Sequence, residues 1–151
     1  MVNFDSSALD KISWRIIDPP QQAQVDGRLI TLDEYFTVLG SGTIKLLLPT
    51  SFPQVGDVFI LDQIVKIKKD RIRVADILQK IFNFYNSSTV SKEDILHLQV
   101  VSSAAKQAEK LLGQFESKEK VLRFRDFLDT TSYIFGGLVK EKGNTYSVIV
   151  R

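Results

Sequence analysis

Apolar residues recur at helical spacing through Val74, Ile77, Leu78, Ile81, Phe82 and Tyr85, which predicts an amphipathic helix over 74–86. A stripe that wide must bury against a sheet or another helix, so this segment anchors a core. A second helical pattern runs through Ile95, Leu98, Val101, Ala105, Ala108 and Leu112 and predicts a helix over 91–112. Ser91 stands at its N-cap with Asp94 three residues on, and Val90 and Ile95 are placed for a hydrophobic staple. A short third helix is expected near 32–39. Thr31 is its N-cap, Asp33 and Glu34 face the positive end of its dipole, and Gly40-Ser41-Gly42 is its stop.

Between the helices the pattern turns to strands. Residues 12–17, 28–30, 43–48, 58–61, 121–128, 132–139 and 145–150 each carry a short apolar run bounded by turn formers. Asp26-Gly27 is a hairpin signal, Lys142-Gly143-Asn144 a turn, and the Pro-containing segments 18–24 and 49–56 are loops. Gly136-Gly137 suggests a bulge or a close strand contact. Val65-Lys66-Ile67-Lys68 and Arg71-Ile72-Arg73-Val74 alternate apolar with basic residues. If Lys69-Asp70 turns the chain, they form a hairpin with Lys66, Lys68, Arg71 and Arg73 on one face. Residues 1–11 are polar and read as an N-terminal arm. The remainder, 12–151, reads as a single α+β domain, an antiparallel or mixed sheet packed by the 74–86 and 91–112 helices plus the short helix near 32–39.

Composition narrows the class. The chain has 151 residues, 44% of them hydrophobic, with ten Phe, which is enough for one core and too apolar for disorder. Twenty basic and 18 acidic residues leave a net charge of +2, short of the basic excess of a dedicated nucleic-acid binder. Cysteine is absent, so disulfides, thiolate nucleophiles and Cys-based zinc sites are excluded, and a reducing compartment is favoured. The start of the chain lacks a signal-peptide pattern, and no apolar run approaches the ~20 residues of a membrane span. The expectation is a soluble, intracellular protein.

Candidate chemistry is sparse. His97 is the only histidine, and its place between Ile95 and Leu98 on a helix reads as structural. Asp126, Asp129, Thr130, Thr131 and Ser132 form the densest polar cluster, which suits a turn better than a carboxylate pair for hydrolysis. Neither glycine pair belongs to a phosphate-binding loop. No catalytic, cofactor or metal residue is assigned. Two surfaces remain. Lys66, Lys68, Arg71 and Arg73, extended by Arg123 and Arg125, form a candidate polyanion site, although Asp70 interrupts it and no aromatic residue interleaves for base stacking. Ser102, Ala105 and Ala108 form a candidate protein contact.

Two segments resemble a domain family of unknown function found in fungi and in some large DNA viruses. Its hallmark is a strand leading into a Thr-Val-x-Asp-Val-Leu-x-x-Ile-Tyr helix, read here as Arg73-Val74-Ala75-Asp76-Ile77-Leu78-Gln79-Lys80-Ile81-Phe82. Later strands of that family are matched by Arg123-Phe124-Arg125-Asp126-Phe127-Leu128, by Phe135-Gly136-Gly137-Leu138 and by Tyr146-Ser147-Val148-Ile149-Val150. The resemblance spans residues 72–150, and Arg73 departs from the expected Thr cap. It implies an α+β fold and no activity, and its viral side implies a virion or capsid-associated protein. The functional expectation is a non-enzymatic interaction or structural module, a subunit of a larger assembly with a protein partner or a second copy. Nucleic-acid binding through the 66–73 segment is the alternative.

Overall fold

The computed structural model describes residues 3–48, 63–87 and 134–150. Within them the chain forms β1 (Asn3–Phe4), a 3-10 turn over Ser7–Lys11, β2 (Ile12–Ser13), a 3-10 turn over Pro20–Gln22, β3 (Gln24–Val25) and β4 (Arg28–Leu29). Then follow α1 (Leu32–Tyr35), β5 (Val38–Leu48), β6 (Gln63–Arg73), α2 (Val74–Ser87), β7 (Phe135–Lys140) and β8 (Thr145–Val150). The class is α+β.

β5 is the axis of the main, five-stranded sheet. β6 pairs antiparallel along one side of it, while its other side is shared by β1, at Gly40–Ser41, and by β8, which runs parallel to it from Lys45 to Leu47. β7 closes that side, antiparallel to β8. Ile44, Leu46 and Leu48 are buried while Thr43, Lys45 and Leu47 between them are only partly covered, so alternation assigns β5 an inner and an outer face. α2 packs on the inner face, against β5 and β6. Its stripe of Val74, Ile77, Leu78, Ile81, Phe84 and Tyr85 is buried; Phe82 of the expected stripe is half-buried and Phe84 takes its place in the core.

The small sheet β2–β3–β4 lies outside the main one and is antiparallel throughout. Its β3–β4 hairpin turns at Asp26 and Gly27, with φ of 54° and 79°. Positive φ at both central residues is the mirror-image turn whose twist suits a hairpin, and Asp-Gly is the pair that tolerates it.

Several expectations are corrected. Residues 63–73 are one continuous strand, so Lys69-Asp70 does not turn the chain. Gly40-Ser41-Gly42 does not stop a helix: α1 ends at Tyr35, and the glycines lie inside β5, where the pairing with β6 slips. The strand expected over 12–17 shortens to Ile12–Ser13, with an isolated bridge from Arg15 to Ile134. The 1–11 segment, expected as an arm, contributes β1 to the main sheet and buries Leu9 completely. The bulge expected at Gly136-Gly137 is present, since register shifts between Phe135 and Leu138. Gly137 has φ +91°, so the backbone there favours glycine, and a Cβ would come 2.6 Å from Asp10 Oδ1, which the exposed Asp10 side chain would have to vacate. The 91–112 helix with Ser102, Ala105 and Ala108, the strands at 58–61 and 121–128, His97, Arg123, Arg125, Asp126 and Asp129 lie outside the described residues.

A candidate basic edge and its groove

The four cations singled out by the sequence all fall on β6. Lys66 and Lys68 flank buried Ile67, and Arg71 and Arg73 flank buried Ile72, so each pair projects away from the core. Ile67 and Ile72 are five residues apart, which in a regular strand would set them on opposite faces. The register resolves this: from Gly42 to Gly40 β5 advances two residues while β6 advances from Lys69 to Ile72, three. The extra residue is a β-bulge, and it resets the alternation. A bulge, not a turn, therefore puts Lys66, Lys68, Arg71 and Arg73 on one face.

Lys45 joins them. It stands directly opposite Lys66 across the β5–β6 pair, with Thr43 opposite Lys68 and Leu47 opposite Ile64. Like charges in direct cross-strand register repel. The salt bridges among the described residues are Arg28–Glu34 and Lys69–Asp76, so neither Lys45 nor Lys66 has an anionic partner among the described residues. Ile64, 64% exposed, extends the same face with apolar surface.

On the other side, β6 meets α2 in a groove of about 260 Å³. The Lys66–Lys69 stretch forms one wall, and Asp76, Gln79, Lys80 and Asn83 of α2 form the other. Asp76 organises the corner. Its Oδ2 accepts the Arg73 N–H at 2.8 Å, and its Oδ1 accepts from Lys69 Nζ at 2.6 Å. The first bond is half of a capping box, and it satisfies a helix-start amide although Arg73 carries no capping oxygen of its own. Further along, Gln79 Nε2 donates to Asn83 Oδ1 at 2.9 Å. With Asp76 engaged by Lys69, the groove and its rim carry Lys66, Lys68 and Lys80 in excess. Tyr35 of α1 lies near this corner, and burial, with the charge of Asp76 as a lesser cause, pushes its phenol up.

β6 is also an edge. β5 holds one side of it, and among the described residues no strand pairs with the other. Alternate residues along such a strand turn N–H and C=O groups outward with no ladder to join.

The sequence located Lys66, Lys68, Arg71 and Arg73 but missed Lys45, Lys69, Lys80 and the groove. Lys45 carried a signal, since a lone charge inside Thr43–Leu48 marks the face that looks away from the core. Among the described residues no group of three or more His, Cys, Asp or Glu is placed to hold a metal ion, and no helix is long and apolar enough to cross a membrane. No family model, curated protein or solved structure matches the chain.

Proposed function

We propose that this protein is a non-enzymatic interaction module, a subunit of an assembly, and that β6 is its contact element. The observation that supports this is a strand of 11 residues, Gln63–Arg73, with one edge unpartnered among the described residues and a cationic, partly apolar outer face. Long edge strands pair with other chains unless they are guarded, and lysine is a common guard. Here the lysines stand beside exposed Ile64, a combination that selects partners as well as repelling them.

Light scattering on the full chain, alone and in extract from its native source, tests the reading. Association with itself or another protein that is lost when Ile64→Asp and Lys66→Glu are combined supports it. A monomer in both settings, unchanged by the substitutions, overturns it.

The cluster of Lys45, Lys66 and Lys68 favours a second reading, a face for a nucleic-acid backbone. It predicts oligonucleotide binding that falls steeply with salt and is lost in Lys45→Gln, Lys66→Gln, Lys68→Gln.

A further inference from the structure

We infer that the groove between β6 and α2 receives an acidic, extended peptide segment of a partner protein, which adds to the main sheet as a strand alongside β6. The inference rests on the interaction-module reading and names its partner chemistry.

Three features lead there. The first is backbone: the edge of β6 that no strand among the described residues pairs with offers alternating donors and acceptors, which an extended segment satisfies through main-chain bonds with little dependence on sequence. The second is shape. α2 begins at Val74, directly after β6, and packs back over the inner face, so the Lys66–Lys69 stretch of β6 and one flank of α2 bound a groove that Ile67 also lines. An added strand would extend the sheet beside β6, its inner face turned to the flank of α2 that carries Gln79, Lys80 and Asn83.

The third is charge, and it sets the partner's sequence. Side chains of an added strand point alternately to the outer face, over Lys66 and Lys68, and into the groove. Lys66 and Lys68 have no carboxylate among the described residues to answer them, so alternate positions of the partner are Asp or Glu. The groove-facing positions meet Lys80, the Lys69–Asp76 pair and the amides of Gln79 and Asn83, which suit small polar side chains. Lysines along the edge repel a second copy of β6 and any basic strand while admitting an acidic one.

The probe is a capped peptide of alternating Glu and Thr, about six residues and ~20 Å long. Its binding to the full chain is followed by calorimetry. Two further peptides carry N-methyl groups at alternate residues, one on the Glu amides and one on the Thr amides. Strand addition uses only one of these sets, so one N-methylated peptide keeps its affinity and the other loses it. Lys66→Glu with Lys80→Glu is expected to weaken the parent peptide roughly tenfold, two rim charges being reversed. The milder Lys66→Gln with Lys80→Gln, checked by circular dichroism, keeps the test open if the reversals disturb folding.

Equal affinity of both N-methylated peptides, or a single-stranded oligonucleotide of equal charge binding more tightly than the parent, overturns the inference in favour of a simple polyanion face. No peptide binding also overturns it. If the assembly seen by light scattering then still depends on Ile64 and Lys66, the strand-addition inference fails alone. If that dependence is absent too, the interaction-module reading fails with it.

Discussion

The two α-helices among the described residues begin in opposite ways. α1 is a single turn, Leu32–Tyr35, with Leu32 75% exposed and Tyr35 as its buried residue. Its start is fully capped: Thr31 Oγ1 accepts the Glu34 N–H at 3.2 Å, and Glu34 Oε1 accepts the Thr31 N–H at 3.0 Å. Arg28 then clamps the Glu34 carboxylate at 2.6 and 3.0 Å. α2 has 14 residues, six of them buried, and only the Asp76 half of a cap. A four-residue helix cannot repay its nucleation through length, so its end groups must hold it. A long amphipathic helix is held by its face, and its cap sets where it starts.

The largest effect expected from this contrast is in the α2 face. Leu78→Ala removes a fully buried side chain and is expected to lower global stability by about 2–5 kcal/mol, read by urea denaturation. Leu32→Ala on exposed α1 should leave the denaturation midpoint nearly unchanged. A comparable loss at both positions would show that α1, like α2, is held by its face.

Asp76→Ala comes next. It leaves the Arg73 N–H and Lys69 without their acceptor, and is expected to cost about 1–2 kcal/mol in the same measurement. Asp76→Asn keeps an oxygen for the Arg73 amide and should recover part of the loss. Thr31→Ala is expected to cost about 0.5–1 kcal/mol, with the change concentrated in amide hydrogen exchange at Glu34 and Tyr35. The smallest effect is one of pH. The Arg28 hydrogen bonds, then the Thr31 amide, pull Glu34 down to about 2 from the usual 4.5. A carboxylate lowered in the folded state contributes stability that is complete above its unfolded value and is lost as pH falls from about 4.5 towards 2. Arg28→Ala should flatten that part of the stability–pH curve, and an unchanged curve would show that the clamp is not formed in solution.

What was legible in the chain follows from how local each signal is. The 3.6-residue period gave α2 to within a residue of its end, Thr31 and Glu34 marked the start of α1, and Asp26-Gly27 marked its hairpin. The hairpin expected over 65–74 failed because a bulge and a turn both interrupt alternation, and Lys69-Asp70 suits either. Gly40-Ser41-Gly42 misled in the same way, since glycines serve a helix end and an irregular strand alike. The parallel contact of β5 with β8 had no local signal at all. For the site, alternation paired Lys66 with Lys68 and Arg71 with Arg73, but it joined the two pairs on one face only through a turn at Lys69-Asp70, where the strand has a bulge instead. Lys80 and the groove required knowing that α2 folds back beside the strand it follows, and no neighbouring residues encode that.

The parallel pairing also has a kinetic consequence. Lys45 meets Thr145, and Asn144 Nδ2 donates to the Thr43 carbonyl oxygen at 2.7 Å across 101 residues. Loop closure on that scale is entropically expensive before any contact rewards it. The β5–β6–α2 unit, by contrast, is contiguous apart from one connection. During synthesis that unit can assemble while one side of β5 still waits for β8, and the waiting strand leaves main-chain N–H and C=O groups from Lys45 to Leu47 without their ladder. Slow refolding governed by the docking of residues 145–150, and aggregation that worsens when they are removed, are the behaviour this topology imposes.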